Sequence, residues 1–201
     1  MIHQEVGDRR YEAAVRADLA LLCSQRGDYQ AAREQAQTAL ELAGALGARY
    51  VEATAFTRLG QALHGLADLQ EAESAYQAAL RLCWELGVET LVLEPLAGLA
   101  RLALANGDLA TARTRANELA TTLEAEGIAW TDELPQLSLS CYQVLSAAGD
   151  ARAAQVLEVA CARLNRQASQ ISDATCRQAF WEDVPTHRAL LVAHVAQEGR
   201  R

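Results

Sequence analysis

Glycine recurs every twenty residues along much of this chain, at Gly7, Gly27, Gly47, Gly87, Gly107 and Gly127, with Ala67 in the gap. Alternate members open nearly the same phrase: Gly27-Asp28-Tyr29-Gln30-Ala31-Ala32, Ala67-Asp68-Leu69-Gln70-Glu71-Ala72 and Gly107-Asp108-Leu109-Ala110-Thr111-Ala112. A fourth copy, Gly149-Asp150-Ala151-Arg152-Ala153-Ala154, arrives two residues late. The repeat is therefore forty residues long, halved by a turn. A unit of that size cannot bury its own apolar face and must stack on its neighbours, which specifies a solenoid.

The Gly-Asp pair explains the turn. Glycine takes the left-handed conformation that closes a helix, and the following carboxylate accepts from the free amides that open the next one. Asp68 with Glu71 also has the spacing of a capping box. Between the turns the apolar residues keep a helical period: Phe56, Leu59, Gly60 and Leu63, then Ala72, Tyr76, Ala79, Leu80, Cys83 and Trp84. The pattern predicts an all-α, right-handed solenoid of about four antiparallel helix pairs, each helix roughly 25 Å long at 1.5 Å per residue. The pairs fall at about 9–26 and 29–46, 49–66 and 69–86, 89–106 and 109–126, and 133–148 and 151–169. Residues 1–8 read as the remnant of a preceding helix closed by Gly7, so the chain is expected to begin within a repeat. The array then divides as 9–47, 48–87, 88–127 and 128–170, with capping helices in 171–198 and a tail, 199–201, without structure.

The chain is 51% hydrophobic but only 5% aromatic, so the core must be built largely from alanine and leucine, both strong helix formers. Net charge is −8, and the eighteen basic residues form no run, which argues against a direct nucleic-acid surface. The five cysteines, Cys23, Cys83, Cys141, Cys161 and Cys176, include no C-x-x-C pair and read as reduced thiols. No leader and no membrane span is expected, and the location expected is cytoplasmic.

The second copy resembles the tetratricopeptide repeat: Phe56, Leu59, Gly60 and Leu63, then Ala72, Tyr76 and Ala79. The first copy offers Arg16, Leu19, Ala20 and Cys23, then Ala32, Ala36 and Ala39, and the third Leu96, Leu99, Ala100 and Ala103, then Ala112, Ala116 and Leu119. The fourth retains Ser138, Cys141, Tyr142 and Leu145, then Ala154 and Glu158. The usual repeat is about 34 residues, so second helices longer by more than a turn are expected. The entry Ile2-His3-Gln4-Glu5-Val6-Gly7-Asp8-Arg9-Arg10 and the ending from Ile171 through Phe180-Trp181 to Arg188 are similar to helical sensor regions of large bacterial ATP-binding regulators and cyclases.

The resemblance implies a non-catalytic scaffold that binds a peptide or partner domain on a concave face lined by the first helices. Carried onto this chain, that face holds Thr57, Gln61 and His64, then Glu94, Arg101 and Leu104, then Leu139 and Gln143. Arg101 amid neutral groups suits an acidic side chain or a chain end. The lysines and asparagines of a chaperone-binding carboxylate clamp are missing; Ala17, Leu21, Thr57 and Gln61 stand there instead. Two alternatives remain: an autoinhibitory or effector-sensing region of a larger signalling protein, and an oligomerisation module that forms a homodimer through an exposed N-terminal solenoid end. No catalytic group, cofactor or metal site is expected. His187 and His194 lie seven apart on one expected helix without a third ligand, and Glu124/Glu126 and Glu182/Asp183 suit a solvated surface. No phosphate-cradling glycine loop is present.

Overall fold

The computed structural model describes residues 2–124 and 134–199, with side chains from residue 9 onward. Over these residues the chain is an all-α helical-repeat solenoid of ten α-helices without a strand. They are α1 (Ile2–Gln25), α2 (Tyr29–Ala45), α3 (Arg49–Gly65), α4 (Leu69–Leu86), α5 (Leu93–Ala105), α6 (Leu109–Glu124), α7 (Leu134–Ala147), α8 (Arg152–Ser169), α9 (Ala174–Glu182) and α10 (Pro185–Glu198).

The turns follow the chemistry of the Gly-Asp phrase. Gly27, Gly47, Gly87, Gly107 and Gly149 all have positive φ, and Ala67 adopts the same left-handed conformation at φ 64°. After α1 the Asp28 N–H donates to the Cys23 carbonyl and the Gly27 N–H to the Ser24 carbonyl, which satisfies two of the orphan acceptors at the helix end. The carboxylates of Asp28, Asp108 and Asp173 accept from the amides of Ala31, Thr111 and Cys176. Those amide bonds hold the Asp108 and Asp173 carboxyls below the usual carboxylate range. Asp68 makes no side-chain cap bond, so the capping box expected with Glu71 does not form.

Two helix ends depart from the expectation. The helix expected from residue 9 is already present at Ile2 and runs through Gly7, which does not close a preceding helix. The third pair starts late: Glu89–Val92 form a 3-10 turn, and α5 proper begins at Leu93. Pro95 is the reason, because it has no N–H to donate to the Leu91 carbonyl four residues back. The Cys83 thiol donates to that carbonyl at 3.4 Å. The turn expected at Gly127 lies outside the described residues, as does the end of the tail.

The chain divides into two compact units, Met1–Leu102 and Ala103–Arg201. In the first, α1 packs on α2, both pack on α3, and α3 packs on α4. Its first helix pair is closed almost entirely by methyl groups, with Ala13, Ala17, Ala20, Ala32, Ala36, Ala39 and Ala43 all buried. The next layer is built from larger side chains, with Leu63, Tyr76, Leu80, Leu96, Leu99 and Leu102 in one cluster.

In the second unit α7 packs on α6 and α8, and α10 closes over α7, α8 and α9. Leu139, Leu157, Cys161, Leu164 and Leu190 form its core, with Phe180 and Trp181 packed against it. Arg152, at the start of α8, bonds to Thr121, to the Asn117 carbonyl and side chain, and to Glu124 at 2.8 Å. This ties the outer ends of α6 and α8 together.

Candidate interaction site

Tyr76 of α4 organises a cluster of charged groups that gathers around its buried aromatic ring in the first unit. Its ring lies between Gly60 of α3 and Gly98 of α5. A Cβ added at Gly60 would stand 2.7 Å from the Cδ1 edge, and one at Gly98 would overlap Cζ at the tip of the ring. Real Cβ atoms do not approach so closely, so both positions need glycine for steric reasons, in mid-helix where glycine otherwise costs about 1 kcal/mol. The ring is fully buried.

Polar side chains collect around that tip. Arg58 of α3 is 4% exposed and pairs with Glu94 of α5. It also donates to Gln61 at 3.4 Å. Arg101 of α5 is half-buried beside the Tyr76 phenol and His64. Burial, and then the Arg101 charge, lower the His64 pKa from 6.5. Burial pushes the Tyr76 phenol up to about 12, opposed chiefly by Arg101. Among the described residues the cluster brings together two guanidinium groups and one carboxylate, in a chain whose net charge is −8.

Four of the eight residues expected on the sequence meet here: Gln61, His64, Glu94 and Arg101. Thr57 is 3% exposed, and its hydroxyl donates to the Ala53 carbonyl, so it serves its own helix. The other three belong to the second unit. Leu139 is 8% exposed within the core around Leu157 and Leu190, Leu104 is half-buried, and Gln143 is exposed. Sequence reasoning missed Arg58 and the polar end of Tyr76. One signal for Arg58 was available: Glu94 follows it by 36 residues, one helical turn short of the forty-residue period. That offset places the two residues on neighbouring first helices at nearly the same level.

Other features are chemically quieter. Cys83, Cys141 and Cys161 are buried, and burial pushes their thiols up to about 11, 12 and 11, which disfavours the reactive thiolate. A cleft of about 500 Å³ elsewhere in the first unit has an apolar floor of Phe56, Leu59 and Leu63, rimmed by Arg33 and Glu71. Among the described residues no three His, Cys, Asp or Glu side chains gather as metal ligands, and no helix is long and apolar enough to cross a membrane.

A tetratricopeptide repeat family model matches residues 53–83, which cover most of α3 and of α4 and include both Gly60 and Tyr76. Among solved structures, the chain is similar to BtubC (BKLC) from P. vanneervenii, with a TM-score of 0.60 and 22% identity. The likeness covers 80% of this chain and 66% of that one, so the chain spans just under two thirds of its neighbour's length. No curated protein matches. Residues 53–83 are thus a tetratricopeptide-type repeat, set in a chain of helical-repeat fold.

Proposed function

We propose that the chain is a non-catalytic interaction module that binds an acidic segment of a partner protein on the inner faces of α3 and α5. Tetratricopeptide repeats mediate protein–protein interaction, and the observation that carries the finer reading is the charge balance around Tyr76. Arg58 is already paired with Glu94, whereas Arg101 brings a second positive charge with no carboxylate among the described residues bonded to it. An Arg guanidinium beside low-dielectric surface suits a carboxylate, because charge-assisted bonds strengthen as water is excluded. The double variant Arg101→Ala/Gln61→Ala should lose affinity for an acidic partner segment and keep its helical circular dichroism. Unchanged binding by a folded double variant removes this assignment.

A second reading, homodimerisation, has its own observation. Tyr11, Val15, Leu19 and Leu22 form an exposed apolar stripe on α1, with Leu22 at 53% exposure. Forty residues on, the equivalents of Val15 and Leu22 are Ala55 and Ala62 of α3, both buried. In α3 that face packs on the preceding pair, with Ala55 against Ala17 and Ala39. The α1 stripe is thus a docking face of the repeat type, here assigned to a second copy. Light scattering that shows only monomer at high concentration rules this out.

A further inference from the structure

The outer side of α10 carries a second apolar face open to solvent. Val192 and Val195 are 63% and 59% exposed, and Val184, Leu191 and Ala196 lie exposed beside them. The helix is anchored through its other side, where buried Leu190 joins the core formed by α7 and α8. A helix that only sealed the array would turn polar residues outward. This one turns out valine and leucine, with Arg188 among them.

The face repeats the spacing of the exposed stripe on α1. Tyr11, Val15, Asp18 and Leu22 follow one another at steps of four, three and four. So do Val184, Arg188, Leu191 and Val195. Each series keeps to one side of its helix and covers about 16 Å at 1.5 Å per residue. Asp18 and Arg188 are both exposed, and Arg188 donates one bond, at 3.3 Å, to the Glu182 carbonyl.

Laid antiparallel, the two series agree at every level. Val195 meets Tyr11 and Leu191 meets Val15; Arg188 then meets Asp18 and Val184 meets Leu22. The other arrangements misplace charge. Laid parallel, Arg188 falls on Val15 and Asp18 on Leu191. Two copies of α1 face to face set each Asp18 on a Val15, and two copies of α10 set each Arg188 on a Leu191. An ion pressed against apolar surface without a partner is costly, whereas opposite charges at one level fix a register and reject others.

We infer that the α1 stripe of one copy docks antiparallel on the outer face of α10 of the next, with Asp18 facing Arg188. The inference rests on the homodimerisation reading above and deepens it, because it names the surface that receives α1. It also changes the stoichiometry. The two faces differ, so a dimer leaves one α1 and one α10 uncovered, and association continues into a chain or a ring.

Two variants test this by sedimentation velocity, Val15→Lys on α1 and Val195→Lys on α10. Both positions are exposed, both folds are checked by circular dichroism, and the shared charge keeps the altered faces from pairing. Wild type is expected to grow past the dimer as its concentration rises. Each variant alone is expected to stay monomeric, because every such contact would need its altered face. Their equimolar mixture is expected to form a heterodimer that grows no further, using the intact α10 of the first and the intact α1 of the second. The charge reversals Asp18→Arg and Arg188→Asp, which leave the apolar surface in place, should each weaken self-association by about tenfold or more, and mixing the two should restore it. If Val195→Lys dimerises alone while Val15→Lys stays monomeric, α1 pairs with itself; the inference is overturned and the homodimerisation reading stands. A mixture of folded variants that stays monomeric, with charge reversals that change nothing, likewise overturns the inference. A wild type that is monomeric at every concentration overturns both.

Discussion

The first and second helix pairs are built on one frame forty residues apart, yet they pack by different means. Where the first pair has Ala36, the second has Tyr76. Ala20 corresponds to Gly60 in that register, Asp18 to Arg58, and Ser24 to His64. The first pair closes on methyl groups, each contributing on the order of 1 kcal/mol of burial. The second places one ring of roughly 150–250 Å² in the same position and gives up two Cβ atoms to fit it. The exchange has a chemical consequence. Methyls leave nothing polar inside, whereas a tyrosine carries a hydroxyl to the junction of α3 and α5, where Arg58, Glu94 and Arg101 have gathered. One substitution within the repeat pattern separates a pair that only stacks from one that carries the proposed site.

The largest effects should come from undoing that exchange. Tyr76→Ala is expected to cost about 3–5 kcal/mol, as for other large aromatic truncations. Gly98→Ala should cost about 1–3 kcal/mol by overpacking against the ring tip. In the Tyr76→Ala background the sign should reverse: the clash is gone, and alanine regains up to about 1 kcal/mol of helix propensity. A double-mutant cycle by urea unfolding measures this coupling. If Gly98→Ala costs the same in both backgrounds, the glycine is not there for the ring, and the contrast between the pairs collapses.

Next in size is the ion pair, which has no counterpart in the first pair because Asp18 replaces Arg58 and Thr54 replaces Glu94. The Arg58 and Glu94 side chains are only 5% and 16% exposed. Removing one partner of a pair buried to this degree typically costs about 3–5 kcal/mol, and Glu94→Ala is placed at the lower end, about 3, because the carboxylate keeps some solvent. The Arg49–Glu85 pair joins exposed side chains at the start of α3 and the end of α4, so Glu85→Ala should cost under about 1 kcal/mol. Equal losses in the two variants, by thermal or urea unfolding, would show that burial does not distinguish them.

Much of this frame was legible in the chain itself. The glycine comb marks helix ends because a positive φ at Gly27, Gly47, Gly87, Gly107 and Gly149 is a local steric demand. The alternation of Phe56, Leu59, Gly60 and Leu63 with Ala72, Tyr76 and Ala79 likewise reports local packing, and it is where the family model matches. The site was legible only in part, because a side chain's neighbours depend on helix rotation. Thr57 lies one position from Arg58, and that single step of 100° cannot be read reliably from apolar spacing. It placed a buried, self-bonded threonine on the surface and left a buried arginine unnoticed. The missing Asp68 cap and the late start of α5 failed for a related reason. Short motifs show that a bond is available, while Pro95 or the side chain's actual direction decides whether it forms.

The turns offer a smaller reciprocal test. Gly27 closes α1 at φ 80°, and Ala67 closes α3 at φ 64°. A residue with a Cβ in this conformation costs roughly 1–2 kcal/mol, offset in part by the lower entropy of its unfolded chain. Ala67→Gly should therefore stabilise the protein by about 0.5–1 kcal/mol, and Gly27→Ala should destabilise it by a similar amount. Opposite shifts in urea midpoint support equivalent turns. Shifts of the same sign would mean that the second pair tolerates its strained turn through contacts absent from the first.

The smallest effect expected is the pH response of His64, whose counterpart Ser24 carries no titrating group. Burial and then Arg101 lower its folded-state pKa below 6.5. Between the two values the unfolded chain binds more protons than the folded one, so stability rises with pH. The contribution of neutral His64 is fully present above about 6.5 and is lost as pH falls from there through the folded-state value. Because His64 is half-exposed, solvent screens the effect. The measurement is the change in Tm from pH 7.5 to 5.5 in wild type and in His64→Gln, with the other histidines common to both. Wild type should lose more on acidification than the variant. Equal losses would mean that Arg101 does not act on His64, and Arg101 would then lie farther from the α3 face than the acidic-segment reading requires.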